Sequence, residues 1–284
     1  MKLGVCSVRK MDVLALCETK MKGKGEMEIG DVTGRVSGVE RGRAREGVAL
    51  LLSEWLMRLA VEWREVSSRL MWVRVRIGRE CWAFVSAYGP GCEKSEEERD
   101  VFWNELTVCV NELSKRNYVI VLGDLNARVG DKEVVGVMGK YGVPGENESG
   151  ERLLDMCVEQ ELMIANSYFK KKCINKYTWM RVDHGRMVEK ALMDYVLVSR
   201  RMIGRVKDVH VFRGMAGGMS DHFLVEAKVV VAKEWKNGVG GCKREMVKVE
   251  ELYKPEKERE YQEKVKEVYE RVKESGVGGL EEEW

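Results

Sequence analysis

Short runs of apolar residues that end in polar or charged side chains recur through the first 232 residues. This feature constrains the fold more than any other. Met11 to Cys17, Gly47 to Leu52 and Tyr118 to Leu122 have the length and composition of strands that are buried on both faces. Because such strands need packed layers on both sides, the pattern predicts mixed sheets covered by helices.

Other segments carry the period of a half-buried strand or of an amphipathic helix. Residues 73–77 alternate Val or Ile with Arg, and Cys81 to Tyr88 follows as the predicted hairpin partner. Ser95 and Glu98 have the spacing of a capping box that opens a helix. Its buried face is predicted from Phe102, Leu106, Cys109 and Leu113. A second helix is predicted from Leu153, Leu154, Cys157, Val158 and Leu162, and the last strands from Tyr195–Val198 and Phe223–Val231.

Composition divides the chain near residue 232. Residues 1–232 are predicted to form one α/β domain, and residues 233–284 a charged linker and helical tail. The tail has a glycine-rich segment at 238–241, followed over 256–273 by a narrow apolar stripe. The stripe consists of Tyr261, Val265, Val268, Tyr269 and Val272.

The net charge and the cysteine pattern limit the classes of function that the chain could have. The net charge of +2 argues against a histone-like excess of positive charge but leaves room for a local basic groove. No apolar run approaches the roughly 18–20 residues that span a bilayer, and charged residues interrupt the opening where a signal peptide would need an apolar core. The eight cysteines contain no C-x-x-C, so we expect reduced thiols in a nuclear or cytoplasmic protein.

Polar residues follow or precede the predicted strands at several points. Glu18 follows the first strand, Tyr88 ends the hairpin, and Asp124 follows the Tyr118–Leu122 run. Asp194 and the pair at 221–222 directly precede the last two strands. Strand ends are where a rigid sheet presents reacting groups. Converging carboxylates with one imidazole would form an oxygen-rich site suited to Mg²⁺ or Mn²⁺, although each residue alone is as readily explained by a turn or a solvated loop.

Taken together, these segments resemble the endonuclease/exonuclease/phosphatase family over roughly residues 11–232. The matching stretches are DVLALCETK (12–20), SAYGP (86–90), LGDLNA (122–127), YTW (177–179), MDYVLVS (193–199) and SDHF (220–223). Within the family the chain is most similar to the apurinic-type endonuclease domains of non-LTR retrotransposons, a branch that includes the craniofacial development protein 2 group. The long link from 136 to 150 and the NESGERL start of the next helix (147–153) suit that branch.

The resemblance implies a four-layer α/β sandwich of two mixed sheets flanked by helices, which hydrolyses phosphodiesters with Mg²⁺ or Mn²⁺. It assigns metal binding to Glu18 with Asp221 nearby. The remaining implied roles are water activation by Asp124, phosphate binding by Asn126 and His222, orientation of the imidazole by Asp194, and contact with the phosphate or leaving oxygen by Tyr88. DNA is the implied partner.

The chain departs from the family at its start. Only 17 residues precede Glu18, too few for the family's first strand and helix at ordinary lengths. Ser7 stands where an Asn that helps organise the metal is expected. We therefore expect the N-terminal strand and helix to be missing, which bears directly on activity.

Basic segments could contact nucleic acid, but solvated loops explain them at least as well. These segments are 35–45, with four arginines, Lys170 to Lys172, and Arg200 with Arg201. Trp179 could stack on a base, although a core tryptophan is commoner.

The sequence thus leaves three functions open. The first is a Mg²⁺-dependent DNA-nicking endonuclease of retrotransposon origin. The second keeps the fold but hydrolyses a small phosphate ester, and the third is a catalytically impaired, domesticated or decayed module that binds nucleic acid or protein.

Overall fold

The structure is a computed structural model, and it describes residues 11–184, 186–213 and 220–231. The predicted helical tail and the residues before position 11 lie outside the described residues. The division at residue 232 and the missing first strand and helix therefore stay predictions. Within the described ranges, no helix is both long and apolar enough to cross a membrane.

Strands make up most of the regular structure. In chain order they are β1 (Val13–Leu16), β2 (Lys24–Ile29), β3 (Val32–Ser37), β4 (Val48–Ser53), β5 (Ala60–Ser67), β6 (Leu70–Ile77), β7 (Glu80–Ala87), β8 (Tyr118–Asp124), β9 (Leu162–Ile164), β10 (Trp179–Asp183), β11 (Arg186–Ala191), β12 (Asp194–Ser199), β13 (Val206–Phe212) and β14 (Leu224–Val229). The α-helices are α1 (Glu54–Met57), α2 (Glu96–Ser114) and α3 (Glu148–Glu159), and 3₁₀ turns cover Ala165–Tyr168, Cys173–Asn175 and Arg200–Arg205.

Two larger sheets and two hairpins result from the pairing of these strands. The six-stranded sheet has the order β5-β6-β7-β8-β12-β9, and the four-stranded sheet has the order β1-β4-β3-β2. In the larger sheet β7 and β8 run parallel, and α2 supplies the crossover that a parallel pair requires. The hairpins are β10–β11 and β13–β14.

The two long helices cover one face of the six-stranded sheet. Ser95 caps α2 in a complete capping box with Glu98, as the sequence predicted, and Asn147 caps α3 by accepting from the N–H of Gly150. Phe102 and Leu106 of α2 pack in the same buried cluster as the β7 and β8 residues on that face. This cluster is the larger part of the core.

The opposite face of the six-stranded sheet packs against the four-stranded sheet. Alternate residues of β4, among them Leu50 and Leu52, contact alternate residues of β6 and β7 in one apolar cluster. Val206 and Val209 bring the β13–β14 hairpin into the same layer. The described residues therefore stack helices, sheet and sheet, and the predicted α/β sandwich is confirmed. Only the six-stranded sheet is mixed, because every strand pair of the four-stranded sheet is antiparallel.

The structure corrects several local predictions. Helix α3 ends at Glu159, and Leu162 belongs to strand β9 and not to the helix. Glu161 between them has a φ of +52°, which reverses the chain direction. Strands β2, β3, β5, β10, β11 and β13 were not predicted, because charged residues interrupt their apolar pattern. Strand β9 was not predicted, because it has only three residues and continues the helical pattern. Arg35 lies in β3, where it pairs with Glu65, and not in a basic loop.

Candidate active site

The predicted residues at the strand ends meet because of the strand pairing in the six-stranded sheet. Strands β8 and β12 are antiparallel neighbours, and their register places Asp124, the last residue of β8, opposite Asp194, the first residue of β12. Two carboxylates that are 70 residues apart in sequence thus lie side by side at one edge of the sheet. One potential ligand atom from each of Asp124, Asp194 and His222 lies within 4.8 Å of the other two.

His222 completes this group from the segment that precedes β14. Its Nδ1 lies 3.0 Å from Oδ2 of Asp194, and its Nε2 lies 3.8 Å from Oδ2 of Asp124. The backbone of His222 forms an isolated bridge with Trp179, which holds the imidazole beside the sheet edge. The carboxylate of Asp194 therefore fixes the orientation of the ring, and Nε2 faces Asp124.

The electrostatics of the group follow from its burial and its like charges. Burial, reinforced by the charge of Asp194, raises the pKa of Asp124 well above the ordinary carboxyl value. Burial also lowers the pKa of His222, but the carboxylates of Asp194, Asp124 and Asp221 outweigh that effect and raise the pKa to about 9. The imidazole is therefore cationic at neutral pH, and the positive charge offsets the two neighbouring carboxylates.

Tyr88 and Glu18 form a second polar pair at this edge. The hydroxyl of Tyr88 donates to Oε1 of Glu18 at 2.7 Å. Burial and the accepting carboxylate raise the pKa of the Tyr88 phenol, which keeps its proton on the oxygen. Glu18 is exposed and has a φ of +51°, a left-handed conformation that is uncommon for a non-glycine residue.

Asn126 follows Asp124 in a tight turn and also has a left-handed backbone, with a φ of +48°. Its N–H donates to Oδ1 of Asp124 at 2.9 Å, and its side-chain amide donates to the carbonyl of Gly89 at 2.9 Å. One of the two amide N–H groups is thus held by the protein. The other has no acceptor among the residues that the structure describes and remains for an external acceptor such as a phosphate oxygen.

Buried hydrogen bonds that the sequence did not reveal fix the position of Asp194. The hydroxyl of Thr178 accepts from the backbone N–H groups of Met193 and Asp194, at 3.0 and 3.1 Å. The side chain of Asn166 donates to the carbonyl of Asp194 and accepts from the N–H of Val196. The YTW motif carried the signal for Thr178, but nothing in the sequence pointed to Asn166.

Cys17 joins the strand ends beneath the site. The backbone N–H of Asp124 donates to its sulfur at 3.4 Å, and its thiol donates to the carbonyl of Ala87 at 3.5 Å. Burial and the nearby Asp124 charge raise the pKa of the thiol, so the group stays protonated. Cys17 therefore links the segment that carries Glu18 to β7 and β8.

The predicted metal ligands are placed at the exposed side of this group. Glu18 has a partly exposed carboxylate, and Asp221 accepts from the indole N–H of Trp179 at 2.9 Å. Trp179 is therefore half-buried beside the site and not a core residue. The donor set around Asp124 is rich in carboxylate oxygen, which is the chemistry that Mg²⁺ and Mn²⁺ select. The residues fit a hard divalent cation.

Most of the predicted basic clusters make structural contacts. Lys171 pairs with Asp208, Arg200 pairs with Glu161, and Arg201 donates to the carbonyl of Asn117. Three arginines differ from these, since they are exposed in the loop between β3 and β4 and have no ion-pair partner within the described part of the chain. They are Arg41, Arg43 and Arg45.

Comparison with known proteins bears out the resemblance that the motifs indicated. Two curated relatives, both named craniofacial development protein 2 and from Tragulus javanicus and Bos taurus, are each 29% identical to the chain over 218 residues. The matched region is 77% of this chain but 37% and 36% of the relatives, so the chain spans just over a third of their length. No protein-family model matches the chain.

Solved structures share the fold. The 3'-5' exonuclease NExo from Neisseria meningitidis has a TM-score of 0.59 at 16% identity, over 80% of this chain and 92% of that one. The AP endonuclease LMAP from Leishmania major has a TM-score of 0.57 at 14% identity, over 78% and 79%. The endonuclease domain of TRAS1, a telomere-specific non-LTR retrotransposon, has a TM-score of 0.52 at 14% identity, over 78% and 87%. All three are nucleases by name.

Proposed function

We propose that this chain, which has the fold of these nucleases and resembles the endonuclease/exonuclease/phosphatase family, hydrolyses DNA phosphodiesters with a divalent metal ion. More narrowly, we propose a DNA-nicking endonuclease of retrotransposon origin. The single observation that carries the proposal is the group of Asp124, Asp194 and His222, in which a cationic imidazole lies between two carboxylates at one sheet edge.

His222 and Asp194 would stabilise the charge that develops on the phosphate. Attack on a phosphodiester builds negative charge on its non-bridging oxygens, and a positioned cation lowers the energy of that state. The Asp194 carboxylate keeps the imidazole protonated and fixes its orientation, so that Nε2–H can donate to a phosphate oxygen. Nε2 lies 3.8 Å from Oδ2 of Asp124, which is longer than a hydrogen bond, so its N–H would remain available to the substrate.

Asp124 would accept the proton of the attacking water. Its carboxylate is buried and its pKa is raised, which makes it a stronger base than an exposed aspartate. The free N–H of the Asn126 amide would hold the phosphate close to this base. Tyr88, which keeps its proton, would donate a hydrogen bond to the phosphate or to the leaving oxygen.

Glu18 and Asp221 would hold the divalent ion, Mg²⁺ or Mn²⁺. When bound, such an ion neutralises charge on the phosphate and on the leaving oxygen. Glu18 has an exposed carboxylate with a left-handed backbone that lifts it away from its strand, and Asp221 adjoins His222 in sequence. Both carboxylates act on the group, since the charge of Glu18 raises the pKa of Asp124 and the charge of Asp221 raises the pKa of His222.

DNA is the substrate class that the charge distribution favours. The β3–β4 loop, which carries the exposed arginines, ends beside the segment that follows Glu18. The contact is a hydrogen bond from the N–H of Lys20 to the carbonyl of Glu46. A loop with three exposed guanidinium groups at this edge suits a polyanion longer than one phosphate. NExo, which shares the fold, has also been solved bound to a product DNA hairpin.

The experiment is nicking of supercoiled plasmid by the full chain with Mg²⁺, with Mn²⁺ and with a chelator. We expect metal-dependent conversion to open circles, and a loss of about 10²–10⁴-fold in Asp124→Asn. The control Asp155→Asn changes an exposed acid on α3 and should nick at the wild-type rate. A folded chain that does not nick in any metal would contradict the proposal and favour the impaired binding module.

Phosphomonoester hydrolysis is the second candidate. It is favoured by the fold shared with NExo, which in its complex with the DNA hairpin is described as a 3' phosphatase. A DNA oligonucleotide with a 3' phosphate separates the two activities. Release of phosphate without plasmid nicking would assign the chain to phosphatase chemistry, and binding that weakens steeply with salt would still identify DNA as the substrate.

A further inference from the structure

Tyr88 makes contacts on two sides. One is with Glu18 in the candidate site, and the other is with a charged network that no sequence motif indicated. On one side its hydroxyl donates to Glu18. On the other, Nη1 of Arg69 donates to the Tyr88 carbonyl at 3.2 Å, and the Arg69 guanidinium carbon lies 4.9 Å from the centre of the Tyr88 ring. The Tyr88 N–H in turn donates to the Arg69 carbonyl at 2.8 Å. Arg69 thus holds both the backbone and the ring of Tyr88.

Glu46 holds Arg69 in this position. Its Oε1 accepts from Nη2 of Arg69 at 2.6 Å, and its Oε2 accepts from the hydroxyl of Ser68 at 2.8 Å. Lys94 lies farther away, with Nζ at 3.9 Å from Oε1 of Glu46. The side chains of Arg69 and Glu46 are only 14% and 19% exposed, so water screens this pair little. One carboxylate oxygen of Glu46 thus holds the guanidinium, and the hydroxyl of Ser68 holds the other oxygen.

The result is a continuous chain of contacts from Glu46 through Arg69 and Tyr88 to Glu18. It joins the end of the β3–β4 loop, the turn between β5 and β6, and the residue after β7. A phenol ring with two free torsions would otherwise sample several orientations at the edge of the sheet. The stacked guanidinium restricts the ring to the orientation in which its hydroxyl meets the carboxylate of Glu18.

We propose that Arg69, oriented by Glu46, is a positioning residue that holds the Tyr88 hydroxyl against Glu18 for phosphodiester cleavage. The inference rests on the proposed function for its catalytic consequence. Arg69 is placed to act through Tyr88, because Nη1 donates to the Tyr88 carbonyl, Nη2 donates to Glu46, and the side chain is only 14% exposed. An arginine that bound DNA directly would instead present its guanidinium to solvent.

The test compares Arg69→Met and Glu46→Gln with the matched control Arg74→Met. Arg74 lies on β6, stacks on Trp72 at 5.4 Å and pairs with Glu62, so it has the same kinds of contact away from the site. We expect kcat for plasmid nicking to fall about 10–100-fold in both test variants, the usual effect of losing a supporting contact. KM for DNA and the salt dependence of binding should stay near wild type, and Arg74→Met should keep the wild-type kcat.

Two double-variant comparisons decide how Arg69 acts. Arg69→Met should lower kcat far less in a Tyr88→Phe background than in the wild type, because the hydroxyl that Arg69 positions is then absent. Independently of activity, Arg69→Met and Tyr88→Leu should be non-additive in Tm by about 2–4 °C, since the two side chains are in contact.

Each outcome separates the inference from the proposed function. Suppose that the wild type shows metal-dependent nicking. If Arg69→Met leaves the nicking unchanged, or changes KM and the salt dependence, the positioning role is overturned and the proposed function stands. A folded wild-type chain without nicking overturns the proposed function and the catalytic part of this inference. Additive effects on Tm would then overturn the structural part as well, and non-additive effects would support it.

Discussion

Removing the charge of Asp194 should make activity depend on pH in a way that the structure specifies. The carboxylate of Asp194 lies 3.0 Å from Nδ1 of His222 and is the largest of the influences that raise the pKa of that imidazole, from 6.5 to about 9. This rise corresponds to about 3 kcal/mol in favour of the protonated ring. Asp194→Asn keeps the shape of the side chain and removes most of that preference.

The magnitude follows from the fraction of His222 that carries the proton. With a pKa of about 9, roughly nine in ten rings are protonated at pH 8, whereas at the ordinary value only about three in a hundred would be. We therefore expect Asp194→Asn to lower the nicking rate by about 10–30-fold at pH 8. At pH 6 both proteins carry a largely protonated ring, and the defect should shrink to a few-fold.

The assay is the initial rate of plasmid nicking between pH 6 and pH 9 at saturating metal. The matched control is Asp208→Asn, because Asp208 lies 3.1 Å from Nδ1 of His210 on β13, in a similar pair outside the site. The control should follow the wild-type profile. A defect of equal size at pH 6 and pH 8 would show that Asp194 does not act through the protonation of His222.

Three further predictions concern stability. Because burial and Asp194 disfavour the charged form of Asp124, Asp124→Asn should raise the free energy of unfolding at pH 8 by about 1 kcal/mol, measured in urea, while it lowers nicking about 10²–10⁴-fold; an unfolding free energy below the wild-type value would contradict this destabilising effect of the charge. Hydrogen bonds from Arg205 lower the pKa of Glu80, so this carboxylate stabilises the fold above its ordinary pKa of 4.5 and ceases to do so as pH falls. Glu80→Gln should therefore cost about 1–3 kcal/mol at pH 7, and the cost should shrink progressively as pH falls below 4.5 and through the lowered pKa; a cost that is independent of pH would refute the pairing. Gly123 has a φ of +145°, and a Cβ there would lie 2.0 Å from the carbonyl oxygen of Ala87, so Gly123→Ala should cost about 3–5 kcal/mol. In Gly30→Ala the new Cβ meets open space and the cost should be about 1 kcal/mol; similar Tm values for the two variants would exclude a steric cause.

Half of the described strands and both longer helices could be predicted from local patterns. The capping box at Ser95, the alternation in β6 and the apolar runs of β4 and β8 depend on neighbours within a few residues, and the structure has each of them. The order of the strand-end motifs also indicated the family resemblance. Helix capping and periodic burial depend on residues that are close in sequence, so a short window of sequence is enough to predict them.

Local patterns were insufficient where a distant contact outweighs local preference. Leu162 continues the helical period of α3, yet it pairs in β9 with β12 because the sheet edge offers it backbone partners. The hairpin β2–β3 is rich in charge, and its strands form because β4 is present to pair with β3. In both cases tertiary hydrogen bonds decide the conformation.

For the candidate site, the sequence determined which residue types stand at the strand ends, and hence the class of chemistry that they allow. Only the tertiary structure decided that Asp194 lies against His222 and opposite Asp124, since that depends on the register of β8 and β12. Burial and the sum of nearby charges arise only once the sheet has formed, and they set the protonation state of each group. The sequence alone does not distinguish Arg69 from other surface cations. Its contact with Tyr88 exists only in the folded chain, where the two residues are brought together.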